Sequence, residues 1–222
     1  MLMNIIRRNW YNIGGVVAIV AIACLFIFWN YMAVLQKLML MSFIAILIHQ
    51  FEEYGFPGGE PAITNMVMQP SDTPDRYPLN QNSAMIVNVL ITYTVYLMPV
   101  FFSKVIWLGL APILMGFMQF IMHGILTNKN MKTIYNPGLG AVIFLHIPIG
   151  IYYIYYIVSN GLISGLDWII AFIYLIIIVR VLLGKLTYDW LADKNSKYAF
   201  AEEEMKRFHV KEKLKLLNNQ KK

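Results

Sequence analysis

Apolar residues fill this chain in long, nearly unbroken runs, and polar residues mark where each run turns. Six segments of about 20 residues follow, the length an α-helix needs to cross a bilayer. They are Tyr11 to Trp29, Ala33 to Tyr54, Ser83 to Phe102, Val105 to Leu126, Gly138 to Val158, and Asp167 to Gly184. Only Asn30-Tyr31-Met32 separates the first two, and only Ser103-Lys104 the third and fourth, so both pairs are predicted to be tight antiparallel hairpins. The longest connection, Gly55 to Asn82, carries Phe56-Pro57-Gly58-Gly59 and Gln69-Pro70-Ser71-Asp72-Thr73-Pro74-Asp75. Turn formers at that density cannot span lipid. The loop is expected at the surface, with a short interfacial helix over Ala62 to Met68, placed to act as a lid over the end of the second segment. Asn136-Pro137-Gly138 is a helix-start signal, with Asn as cap and Pro at the first helical position. From Lys185 onward the chain is charged, and Glu202/Lys206 and Glu203/Arg207 at i,i+4 predict a helix there. The organisation is therefore a transmembrane domain over 1–184, interrupted by the polar loop 55–82, and a charged tail over 185–222.

Composition agrees with the pattern. Hydrophobic residues make up 59% of the 222 positions and charged residues 14%, against about 25% charged in an ordinary soluble domain. The fold class is all-α, a polytopic transmembrane bundle of six helices; the unbroken runs exclude a β-barrel. The single cysteine, Cys24, rules out an intrachain disulfide and a cysteine-rich metal site. Arg7 and Arg8 precede the first run with no small-residue cleavage site after it, which reads as an uncleaved signal anchor. Lys and Arg fix the expected orientation. With the N-terminus inside, the inner side receives Arg7, Arg8, Arg76, Lys129, Lys132 and the ten basic residues from Lys185 to Lys222, leaving Lys37 and Lys104 outside. Both termini are thus predicted to be cytoplasmic, in a multi-pass protein of the plasma membrane.

The polar residues inside the apolar runs carry the chemistry. The second run ends in His49-Gln50-Phe51-Glu52-Glu53. An α-helix advances about 100° per residue, so Glu52 at i+3 and Glu53 at i+4 flank the face that holds His49. A charged group at membrane depth costs several kcal/mol, so such residues mark a metal site or a proton path by default. In the alternating topology Asn88, His123 and His146 fall in the same leaflet as this motif. Each has a bland reading. Asn88 alone suits an interhelical hydrogen bond, His123 or His146 alone suits a capped carbonyl, and Glu52-Glu53 suits a hydrated helix end. Four consecutive helices agreeing on one leaflet is what argues for a site. Arg180 is expected to snorkel to headgroups, the aromatic run Tyr152 to Tyr156 to belong to the interfacial belt, and His209 to be solvated.

The string His49-Gln50-Phe51-Glu52-Glu53 followed by Gly55-Phe56-Pro57-Gly58-Gly59 resembles the HXXEE-motif family of small bacterial integral-membrane proteins. Asn88, His123 and Tyr135-Asn136-Pro137-Gly138 leading to His146 look like other polar positions of that family. The resemblance implies a multi-helix membrane protein suspected of metal-dependent or acid–base catalysis, with no assigned substrate.

Two function classes follow from these residues. The leading expectation is a metal-dependent hydrolase or transferase acting on a lipid or lipid-linked substrate at the cytoplasmic leaflet. In it His49, Glu52, His123 and His146 hold a divalent ion, zinc first, manganese or iron next. Glu53 is the base, and Asn88 stabilises an oxyanion or orients a ligand. The other class is a small transporter, ion- or proton-binding or self-protection protein that uses the same residues without turnover. A di-iron carboxylate site needs about four carboxylates and only Glu52 and Glu53 lie in the membrane core. Membrane lipids are the expected partners, nucleic acid is not, and the oligomeric state stays open.

Overall fold

A computed structural model describes residues 2–219, so residue 1 and the end of the charged tail, 220–222, lie outside it. The described residues are helical without any strand, and six helices are long and apolar enough to cross a membrane: Leu2–Ile27, Val34–Tyr54, Gln81–Phe101, Ile106–Met131, Leu139–Ser159 and Gly165–Trp190. They are the six expected spans with shifted ends. The first begins at Leu2 rather than Tyr11 because its polar turn is covered by protein. Arg7 donates to Asn82 and Asn4 and stacks on the Tyr198 ring, 3.9 Å from its centre. The sixth runs on to Trp190 rather than stopping at Gly184, so the tail begins later than Lys185.

The second span is the buried centre and the sixth the most lipid-exposed. Met39, Ile46 and Leu47 of the second span pack with Leu110, Met115, Tyr153 and Ile157 of the fourth and fifth. In lipid, tails are as apolar as such a core, so close packing and interhelical hydrogen bonds hold the spans together. Spans one and two are continuous α-helix, whereas the other four contain π-helical stretches: Ile91–Tyr96, Phe120–Thr127, Val142–His146 and Ile178–Trp190. Proline explains two of these. Pro99 and Pro148 lack the N–H that would close the α-ladder onto residues four earlier, and each follows a π segment directly upstream. Three of the four stretches lie in the half of the bundle that holds the His49 motif, hereafter the motif end.

The loop between spans two and three folds over that end. Its helix comprises Glu60–Ile63 and a π turn Thr64–Met68. The predicted helix is present, yet it is packed under the protein: Ala62 and Ile63 are buried against Met131 and Val210. Asn65 ties the loop together, donating to the carbonyls of Pro74 and Leu79 and accepting from Leu79 N–H. The tail returns over the loop. Phe200 N–H donates to Asp75, and Arg207 donates to the carbonyl of Tyr54 at the end of the second span. Glu202 and Lys206 pair at 2.5 Å as expected on an exposed face, while Arg207 goes to Tyr54 instead of staying beside Glu203.

Candidate metal centre

His49 lies one turn before the end of the second span, and its imidazole is fixed by the start of the fifth. Nδ1 lies 3.0 Å from the Gly138 carbonyl oxygen. A carbonyl can only accept, so Nδ1 carries a proton, and in the neutral ring Nε2 is the nitrogen left free to bind an ion. His123, in the π stretch of span four, is held in the same way. Its Nδ1 is 2.7 Å from Asn136 Oδ1, and Asn136 Nδ2 donates to the His123 carbonyl and to Asn128 Oδ1, which fixes the amide orientation. Both rings therefore turn Nε2 toward one carboxylate oxygen. His49 Nε2 and His123 Nε2 each lie 3.3 Å from Glu53 Oε1.

With both rings neutral, three lone pairs converge in this buried volume, an arrangement that a proton or a metal cation relieves. His49 Nε2 has no hydrogen-bond partner, which makes it an orphan at that depth. A charge-assisted N–H···O⁻ bond runs about 2.7–2.9 Å, shorter than either contact. Two ligands bound at about 2.0–2.1 Å to one tetrahedral ion are instead separated by about 3.3 Å. His49, Glu53 and His123 thus form a group able to hold a metal ion, with donor atoms all within 4.8 Å of one another. Two imidazoles and a carboxylate with a fourth position open is a ligand set of catalytic zinc sites, and hydrogen bonds to the far ring nitrogens are the usual support for it.

Glu52, expected as a ligand, does not join the group. One residue along the helix turns its side chain by about 100°, and it meets the N-terminus of the fifth span. There it accepts from Gly140 N–H at 3.0 Å, Ala141 N–H at 2.8 Å and the Tyr135 hydroxyl at 2.7 Å. Unpaired N–H groups at a helix start favour an anion. The place beside the imidazoles expected of Glu52 is taken by Glu53, and Glu52 latches two spans. Burial and the neighbouring Glu52 carboxylate push the Tyr135 hydroxyl pKa up, keeping it a donor. His146 stands beside the group, its ring 5.6 Å from that of His49, with Nε2 buried and unpartnered. Tyr96 is 6.0 Å from His146 by ring centre and its hydroxyl is likewise unpartnered. Asn88 takes the bland role: it donates to the Ala84 carbonyl and accepts from Gln50, fastening span three to span two.

Gly138 carries the closest approach. Its φ is +98°, and a Cβ there would lie 2.8 Å from His123 Cε1 and 2.9 Å from His49 Cε1. Asn136-Pro137-Gly138 was legible only as a helix start; the structure makes it the seat of both imidazoles. Glu60 was missed altogether. It lines a cavity of about 390 Å³ with Glu53, His123, Thr64 and Tyr188. Burial first, then the charge of Glu53, raise its carboxyl pKa from 4.5 to about 7. The only sequence signal was an acidic residue a few positions after the motif, at the start of a loop that also carries Asp72, Asp75 and Arg76. Arg180 is exposed and stays outside the group, and His209 is exposed too.

A family model described as a protein of unknown function with HXXEE motif matches residues 40–153. The chain belongs to the HXXEE family. The match runs from the middle of the second span through most of the fifth, and so takes in His49, Glu52, Glu53, His123, Asn136, Gly138 and His146. Within the HXXEE family chain described here, the first motif residue and the last are the two that face the cation-shaped gap. No curated protein and no solved structure matches the chain.

Proposed function

We propose that this protein is a membrane-embedded, metal-dependent hydrolase or transferase that acts on a lipid at the cytoplasmic leaflet of the plasma membrane, with both termini cytoplasmic. His49, Glu53 and His123 hold one divalent ion, zinc before manganese or iron. The observation that carries this reading is the pair of 3.3 Å contacts between two imidazole Nε2 atoms and one carboxylate oxygen. A divalent ion in such a site supplies Lewis acidity and makes a nucleophile of water near neutral pH.

The chain's own residues supply the rest. Gly138 and Asn136 hold the rings in the tautomer that offers Nε2. Glu52, by gripping Gly140 and Ala141, keeps the fifth span at the distance this requires. Glu60, in the same cavity, takes a proton from water and returns it to the leaving group, the role expected of Glu53 from sequence. Thr64 donates to Glu60 Oε1 at 2.7 Å and aims it.

The test is elemental analysis of protein purified without chelator and then reloaded with zinc. Wild type is expected to carry about one ion per chain, and His49→Ala, Glu53→Gln and His123→Ala to lose most of it. Glu52→Gln is expected to keep it. A wild type without zinc, manganese or iron after reloading would overturn the proposal and favour ion-free proton exchange between Glu53 and the two imidazoles.

A further inference from the structure

The cavity that Glu53, Glu60 and His123 line is two-sided. Its other wall is made by Met118 and Met122 of the fourth span and Val179 and Leu183 of the sixth. These spans pack closely along Ile106–Gln119 and Gly165–Ile177. Their π-helical continuations, Phe120–Thr127 and Ile178–Trp190, stand on either side of the cavity, the sixth span leaning onto the start of the third instead. Met122 at the edge of this gap is exposed to the lipid-facing side, and Phe120 and Ile121 beside it are exposed as well. The cavity thus has an apolar edge at Met122 toward the bilayer, and a second, polar edge at the exposed loop residue Gln69.

Charge narrows what can enter. Among the described residues no lysine or arginine lines the cavity, while two carboxylates do. Arg207 lies just outside it, on the Tyr54 carbonyl, and the cationic hollow at the motif end is a separate one of about 670 Å³ lined by Arg7, Arg8 and Lys197, beside the first span. A phosphate headgroup in the cavity would lose its hydration with no guanidinium or ammonium to replace it. An uncharged ester or amide loses far less, and its carbonyl is the group an electrophilic site acts on.

Resting on the reading of the site given above, we propose that the substrate is a single-chain lipid with an uncharged carbonyl-bearing head, such as a monoacylglycerol or a long-chain amide, which enters sideways between spans four and six. The acyl chain lies along Met118, Met122, Val179 and Leu183. The carbonyl reaches His123 and Glu53.

Photo-crosslinking tests this with the full chain in lipid nanodiscs. The probes are a monoacylglycerol and a lysophosphatidate carrying the same diazirine chain, with labelled peptides mapped by mass spectrometry. The monoacylglycerol is expected to mark residues 118–122 and 179–183, and the lysophosphatidate to mark them about tenfold less, a difference of one decade in affinity. Leu183→Trp, which fills the cavity, is expected to remove the monoacylglycerol label while zinc content stays at the wild-type value. Val179→Phe serves the same purpose if the tryptophan variant does not fold. Equal labelling by the two probes would overturn the headgroup assignment. Monoacylglycerol labelling no stronger than at the lipid-facing Phe144 and Ile173 would overturn the cavity route. Either result leaves zinc content, and so the metal centre, standing; loss of zinc from the wild type is the separate failure.

Discussion

The two ends of this bundle are built by different rules. At the end away from the motif, spans four and six lie together, only the Ile91–Tyr96 stretch of span three is π-helical, and Leu110, Tyr153 and Ile157 are buried with a single polar contact of note, the Tyr153 hydroxyl on the Ile106 carbonyl at 3.2 Å. At the motif end three spans turn π-helical, two of them part, and His49, Gln50, Glu53, Asn65, His123, Asn136 and His146 are all buried. π-helical turns are costly and are kept mainly where a site needs them. The contrast shows a scaffold whose regular half holds the spans in register so that its irregular half can carry polar groups at a depth where lipid alone would reject them.

Two left-handed glycines sharpen the comparison most. Gly138 at the motif end and Gly161 at the other both have positive φ, +98° and +60°. Gly138→Ala adds a methyl less than 3 Å from both imidazoles, so strain and overpacking together are expected to cost about 3 kcal/mol or more and to abolish zinc binding. Gly161→Ala meets nothing within 4 Å and is expected to cost about 1 kcal/mol, with zinc unchanged. Thermal unfolding in detergent and elemental analysis measure both. Equal losses would mean that the motif end is not specially built.

The adjacent glutamates come next in size. Glu52→Gln removes the charge that three donors share, and is expected to destabilise by about 2 kcal/mol while keeping zinc. Glu53→Gln is expected to lose zinc and to gain or lose little stability in the metal-free state. If Glu52→Gln loses zinc and Glu53→Gln keeps it, the two roles are reversed.

A pH effect is expected at one loop residue. The Glu60 carboxyl binds its proton more tightly in the folded chain, with pKa about 7 against 4.5 ordinarily. Protonated, it stabilises the fold, and that contribution is lost as pH rises from 4.5 through about 7. Chelator-treated wild type is therefore expected to melt at a lower temperature at pH 8 than at pH 5, and Glu60→Gln to show a flatter dependence. A mutant with the wild-type slope would remove Glu60 from the account.

Much of this was legible in the sequence, because apolar run length alone sets the number of spans and the i+4 spacing alone brings Glu53 beside His49. The convergence of His49 and His123 was legible too, from alternating helix direction. What escaped was whatever depended on rotation between helices. Nothing in the spacing of Glu52 said that the fifth span would offer it two N–H groups, and nothing said that Asn88 would be taken up by Gln50. His146 was expected in the group because its depth is right; its azimuth leaves it beside the group instead. Glu60 could be found only once the loop was seen folded over the cavity. Glu53 is buried at that helix end, whereas Glu52 is half-buried, with its oxygens taken by Gly140, Ala141 and Tyr135.

The central claim is that His49, Glu53 and His123 close on one ion. X-ray absorption at the zinc edge of the reloaded protein tests it most directly. The account predicts a low-coordinate shell of nitrogen and oxygen at about 2.0–2.1 Å with the outer-shell scattering of two imidazoles, reduced to one imidazole in a partly loaded His123→Ala sample. A shell that contains sulfur, or one of oxygens alone without imidazole scattering, would contradict it.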